Sequence, residues 1–278
     1  MKMLPGFALL IACGCTPLDP HPGADAGGSG ASDAGADAAP DAGGDSGSGG
    51  LTGPGVRGVL EDEANQPIGN ATLLACTASF CLFGASEADG HFAFPLDPPV
   101  DVAVKTLEDL TKTPRRGSVI VPVTVVGMSP VDLGAVHVPT LPPGAPLGPE
   151  SLDPQTLKVG DGLELIVRRA DLDPPIGVDL DDLAARLIPP AHLHPLPALG
   201  AEQIIGVYAL HPFTTASKSP IGVRVPSTLP AGTAVSFRTI SELDGHLSAP
   251  AHGKADGAFL TTDPSAGIDE LTWLIVSR

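Results

Sequence analysis

The chain has 278 residues, enough for one or two ordinary domains, and 42% of them are hydrophobic, enough to bury a core. With 34 Gly, 31 Pro, one Trp and one Tyr, it is punctuated too often for long helices and reads as short strands joined by turns. The net charge is −17, and residues 56–278 alone hold 14 Lys and Arg against 26 Asp and Glu, so a polyanion would be repelled and nucleic acid is excluded as a partner.

Met1-Lys2-Met3 gives a positive start, and Leu4 to Ala12 a short apolar run. That run falls well below the ~20 residues of a membrane-spanning helix and fits the apolar region of a secretory signal. It ends in Leu10-Ile11-Ala12-Cys13, which resembles the lipobox of bacterial lipoproteins. The resemblance implies a signal peptide over residues 1–12 and a Cys13 that carries the lipid, with Cys15 a weaker alternative acceptor. It further implies that Gly14, standing where an Asp would retain the protein at the inner membrane, favours the outer membrane. The expected location is the cell envelope, and the expected first partner is a membrane reached through the lipid anchor, since two or three acyl chains hold a protein there stably.

Residues 13–55 contain six Asp and no Lys or Arg, and from residue 16 they consist almost entirely of Gly, Ala, Ser, Asp and Pro. Such a segment cannot bury enough apolar area to offset its ordering entropy. It is expected to be a disordered linker, with a reach of ~32–38 Å over 40 residues.

From residue 56 to 140 the expected strands are Val56–Leu60, Ala71–Cys76, Leu82–Ala85, His91–Pro95, Val100–Thr106, Ser118–Val126 and Val131–Val138. Turn chemistry separates them at Asn65-Gln66-Pro67 and Ala88-Asp89-Gly90, and Phe92 and Phe94 alternate with His91 and Ala93 to face one side of a sheet. Gly58-Val59, Gln66-Pro67-Ile68, Gly69-Asn70-Ala71, Asp89-Gly90-His91-Phe92 and the later Val131-Asp132-Leu133-Gly134-Ala135-Val136 resemble the carboxypeptidase regulatory-like family. The resemblance implies a transthyretin-like β-sandwich and an accessory module, and it carries over no catalytic residue. Cys76 and Cys81 enclose four residues. In an exported protein they are expected to form a disulfide at the end of a hairpin, the alternative being two free buried thiols.

Leu141-Pro142-Pro143-Gly144-Ala145-Pro146 reads as a Pro-rich joint, and residues 145–278 as a second antiparallel sandwich. Leu163, Leu165 and Val167 alternate along one strand, and Ile221, Val223 and Val225 along another. Ile204–Leu210, Ala234–Thr239, Ala258–Thr262 and the doubly apolar run around Leu271, Trp273 and Ile275 complete a set of about six. Leu180–Leu187 alone reads as a short helix. The turns around Ser217–Pro226, Leu229–Thr233 and Ala255–Thr262 are similar to the C-terminal β-domains of large bacterial surface lipoproteins, which implies no activity.

No G-x-S-x-G elbow and no H-E-x-x-H occurs, so no catalytic residue is expected and the chain is read as a non-enzyme. His192 and His194 could share one face of a strand, but two imidazoles do not make a catalytic metal site. Asp171, Asp173, Asp179 and Asp181 around Pro174-Pro175-Ile176-Gly177 form a weak calcium candidate, calcium being the one cofactor considered. A sugar platform needs exposed aromatic faces, and Trp273 and Tyr208 both lie in apolar strands that belong to a core. The expected function is a lipid-anchored, non-catalytic envelope protein with structural or interaction duty. The alternative is an adhesion or ligand-binding module that recognises an envelope glycan or protein.

Overall fold

A computed structural model describes residues 51–278. The expectations for the signal segment 1–12, for Cys13 and for the linker as far as residue 50 lie outside the described residues. The first strand begins at Gly55, the last residue assigned to the linker.

Seven strands follow: Gly55–Asp62 (β1), Thr72–Cys76 (β2), Cys81–Ala85 (β3), His91–Pro95 (β4), Val100–Thr106 (β5), Ile120–Val125 (β6) and Pro130–Val138 (β7). They build two sheets, of order β4-β1-β7 and β3-β2-β5-β6. Local chemistry stops each strand. Asp62 Oδ1 accepts from the backbone N–H groups of Ala64 and Gln66 at 2.8 and 2.9 Å, turning the chain before Pro67. Gly90 takes a φ of 84° ahead of β4, and a Cβ there would meet the Leu60 carbonyl oxygen at 2.6 Å, so only glycine fits. Along β4, Phe92 and Phe94 are buried while His91, Ala93 and Pro95 are exposed, as one wet sheet face requires.

One ladder departs from the antiparallel pattern. β7 runs parallel to β1, with Gly55 opposite Pro130 and Leu60 opposite Val136. The chain crosses between the two sheets after β6, so its last strand comes back in the direction of its first.

The second half contains Ala145–Pro146 (β8), Gln155–Gly160 (β9), Leu163–Val167 (β10), Leu172–Asp173 (β11), Asp182–Leu187 (β12), Ile204–His211 (β13) and Thr215–Pro226 (β14). Ala234–Thr239 (β15), Ala251–Ala255 (β16), Phe259–Thr262 (β17), Ile268–Leu271 (β18) and Trp273–Ser277 (β19) complete it. They form one antiparallel hydrogen-bonded path, β8-β12-β13-β19-β15-β16-β17-β14-β10-β9, with β11 and β18 also paired to β14. The path curls on itself: Asp161, just past β9, accepts from the Leu187 backbone N–H of β12 at 2.7 Å. Leu165, Leu210, Val223, Phe237 and Leu274 fill the core it encloses. The whole is an all-β, sandwich-like fold.

The helix expected over Leu180–Leu187 is a strand. β12 pairs with β13 on one side and β8 on the other, and Leu183, Ala184 and Ala185 are all fully buried. A strand covered on both faces loses its period of two, and a short apolar run then cannot be told from a helix.

Where a joint was expected, the chain is tied down. Leu141 is buried, its N–H donates to the Arg115 carbonyl at 2.9 Å, and Ala145–Pro146 joins the sheet through β12. The core between the first two sheets also extends into the second half. Val56, Leu73, Phe92, Val104 and Val121 share one cluster with Ile188, Val207, Phe213, Ile240, Trp273 and Ile275. Trp273 is 1% exposed, and its indole N–H donates to the Ser118 carbonyl at 2.9 Å. Tyr208 is buried in the other core, so neither ring is available as a sugar platform.

Candidate functional site

Polar groups cross between the halves at the turn after β1, where Arg186 binds Glu63 at 2.9 and 3.0 Å, and on the loop joining β5 to β6. Arg115 donates both terminal nitrogens to Asp182, at 3.1 and 3.2 Å, and one of them also to the Pro142 carbonyl at 3.1 Å. Asp182 Oδ1 lies 3.3 Å from His211 Nε2, and His211 Nδ1 lies 2.8 Å from Glu108 Oε2. The result is a polar chain, Arg115, Asp182, His211 and Glu108, with the imidazole 2% exposed at its centre. A neighbouring pair repeats the pattern: Lys105, buried on β5, binds Glu242 of the second half.

A general base needs a free lone pair within reach of a proton, whereas both nitrogens of His211 are turned to carboxylates. What remains open is Glu108 Oε1, which is buried with no hydrogen-bond partner. Glu108 also lines a cleft of about 270 Å³, floored by Leu60, Ile68 and Val138 and bordered by Asp109, Lys112 and Arg116. The Thr111 hydroxyl, bonded to Asp109 at 2.6 Å, holds that carboxyl below its ordinary range, and the nearby Lys112 and Arg116 act in the same direction. The cleft therefore offers two cations, Lys112 and Arg116, two carboxylates, Glu108 and Asp109, and an apolar floor.

A second polar cluster lies where residues 190–194 meet β7. The ring of His192 stacks on that of His137, with centroids 4.0 Å apart and planes 7° from parallel. His137 Nε2 is 3.0 Å from Asn65 Oδ1 and 3.6 Å from Glu61 Oε2, while His192 Nδ1 is buried and unpartnered. Burial lowers the pKa of His137 and of His194; the charge on His192 adds to the shift at His137, and the Ala135 carbonyl opposes it at His194. Stacked rings aim their nitrogens in parallel rather than at a common point, and no group of three ligands suited to a metal forms among the described residues.

The residues expected from sequence are placed as follows. Cys76 and Cys81 stand opposite each other on β2 and β3 and are joined as a disulfide, with Cα atoms 4.0 Å apart. Thr77 closes the turn between them: its Oγ1 accepts from the N–H groups of Ser79 and Phe80, both at 3.2 Å. The four aspartates of the calcium candidate are not brought together. Asp171 accepts from the Ser219 hydroxyl at 2.5 Å, Asp173 lies opposite Ala216 in the β11–β14 ladder, and Asp179 and Asp181 are exposed in the approach to β12. Pairing of β11 with β14 fixes Asp173, Ser219 holds Asp171 at the end of the preceding turn, and Asp179 and Asp181 follow the turn at Pro174–Gly177.

Sequence reading missed the chain from Arg115 to Glu108 and the cleft beside it. One signal was available: Lys105, Lys112, Arg115 and Arg116 place four of the fifteen basic residues within one short stretch. The partners of Arg115 and Lys105 lie 67 and 137 residues away and carry no local mark. No protein-family model matches the chain, and no curated protein matches it.

Proposed function

We propose that this chain is a lipid-anchored, non-catalytic protein of the cell envelope. On this reading an acylated Cys13 holds it to the outer membrane, and the acidic segment before residue 55 tethers a rigid all-β body with interaction duty. The observation that carries the reading is the Cys76–Cys81 disulfide across a hairpin, because such bonds persist in exported proteins and rarely in a reducing cytosol. The membership of the first half in the carboxypeptidase regulatory-like family belongs to the same proposal. It is supported by where the motif residues lie: Ile68 and Phe92 in the core, Gly90 in its left-handed turn, and Gly58 packed where a Cβ would meet the Phe92 ring at 2.9 Å.

The test is intact mass and detergent partitioning of the full chain made in a Gram-negative host, beside Cys13→Ser. The reading expects an acylated wild type in the detergent phase and an aqueous variant. Two soluble proteins with intact N-termini would remove the anchor.

The second reading, an adhesion or ligand-binding module, is favoured by the cleft beside Glu108. Saturable binding of purified envelope glycan or protein, lost in Lys112→Glu/Arg116→Glu, would raise it above the first. Binding that this variant leaves unchanged would place the interaction elsewhere.

A further inference from the structure

We infer that the end of the first half at which the chain enters the folded body is a membrane-docking tip that rests against the surface of the lipid bilayer. The inference rests on the lipid-anchor reading above and adds to it an orientation and a contact.

Strand register places four chain segments at this end. Gly55, at the start of β1, lies opposite Pro95, the end of β4, and opposite Pro130, the start of β7. Val100, the start of β5, lies opposite Val125, the end of β6. Cys76 lies opposite both Ala103 and Cys81, so the turn at 77–80 projects towards the same end as Val100. The entering chain, the disulfide-closed hairpin turn, the link from β4 to β5 and the turn from β6 to β7 therefore all gather at one end of the sandwich.

Two of these segments carry apolar side chains that no described residue covers. Phe80 is 51% exposed, Val126 75% and Met128 74%, and Phe83, just beyond the hairpin turn on the edge strand β3, is 75% exposed. Scattered single apolar residues on a surface mean little, but here Phe80, Val126 and Met128 stand on two turns at one end of the sandwich, with Phe83 further back on β3. The disulfide and the Thr77 hydrogen bonds hold the Phe80 turn in shape, so little ordering would be needed on contact.

The position of the entering chain selects the occupant. An acylated Cys13 would lie 38 residues before Leu51, and a tether of that length keeps the bilayer at an effective concentration on the order of millimolar. The end of the body nearest the tether is the one that meets the surface most often. An apolar contact that from free solution saturates only at high lipid would then persist at low lipid. The charges at this end include the exposed carboxylates Asp97 and Asp101, with Asp244 and His246 beside Asp101 and with Arg57 already paired to Asp132 at 3.0 Å. The favoured surface is accordingly a zwitterionic lipid face, and anionic headgroups would weaken the contact.

The experiment places a fluorescent reporter at the tip of the full chain. Phe80→Trp and Met128→Trp are made singly, with Ile176→Trp on the exposed turn after β11 as the remote control; Trp273, fully buried, is a constant background. Lipidated protein on phosphatidylcholine vesicles should show blue-shifted emission at 80 and 128, quenched at least twofold by brominated acyl chains, with no quenching at 176. In the Cys13→Ser background, Phe80→Ser/Met128→Ser should lower vesicle partitioning ~10-fold. Vesicle-bound, acylated protein whose reporter at 80 is quenched no more than that at 176 would overturn the tip while leaving the anchor intact. If mass shows no acyl group, saturable quenching of the soluble Phe80→Trp protein by the same vesicles still sustains the tip, and its absence overturns it. A blue shift that grows with protein concentration without lipid would assign the surface to a second copy of the chain and overturn the proposal.

Discussion

The two cores of this molecule differ in self-sufficiency. The one centred on Phe237 is enclosed by strands of the second half alone, whereas the one between the first two sheets draws Ile188, Val207, Ile240, Trp273 and Ile275 from the second half. A seven-stranded sandwich of about 85 residues buries a smaller fraction of its surface than a larger domain does. Here the second half supplies the missing apolar face. The difference teaches that a module recognisable by its strands need not be a unit of stability: the first half borrows its core, and the second half lends it.

The largest expected effect breaks this dependence directly. Trp273→Ala should cost about 3–5 kcal/mol and remove the hydrogen bond to Ser118. Amide exchange should then accelerate in β2, β5 and β6. Phe237→Ala, of similar size, should accelerate exchange in β15, β16 and β19 while sparing the first two sheets. Equal acceleration in both halves from both variants would mean that the two cores unfold as one.

Next in size is the charged chain beside the apolar contact. Asp182→Ala strands Arg115 and His211 together, and denaturant unfolding should report a loss of roughly 2–3 kcal/mol. By contrast, Asp132→Ala, which breaks the exposed pair with Arg57, should cost about 0.5 kcal/mol or less.

A third effect depends on pH. Burial favours neutral His137 and His194 in the folded state, so their contribution is present above the ordinary imidazole value of 6.5 and is lost as the pH falls below it. Glu61 and Asp62 face His137 and moderate the loss. His137→Gln should flatten the urea midpoint between pH 7.5 and 5. Glu270 acts in the opposite sense. Burial first, and then Asp269 and Glu242, push its carboxyl up to about 7 from 4.5, so its contribution is present below 4.5 and lost as the pH rises through about 7. Glu270→Gln should therefore stabilise the protein at pH 8 and change little at pH 4.

The strands of the first half are legible in the sequence because each is short, apolar on one face and ended by a strong turn former. The structure starts or stops them within two residues of the expected limits. β16 was not legible: its inward positions are Ala251, Gly253 and Ala255, and Gly253 is small because the Phe237 ring lies over it, where a Cβ would approach to 2.9 Å. A strand whose inward face is made of small residues lacks the pattern that marks strands. Nor was the candidate site legible. Glu108 and His211 are 103 residues apart, and their meeting is decided by how two sheets pack rather than by any spacing along the chain.

The bond from Trp273 to Ser118 spans 155 residues, and that distance bears on the order of events in folding. Contacts so remote come late, because a long loop must close before they reward it. The half of the protein that leaves the ribosome first is thus the half that is finished last: β1 waits for β7 to pair with it, and the core beneath them waits for β19 to seal it.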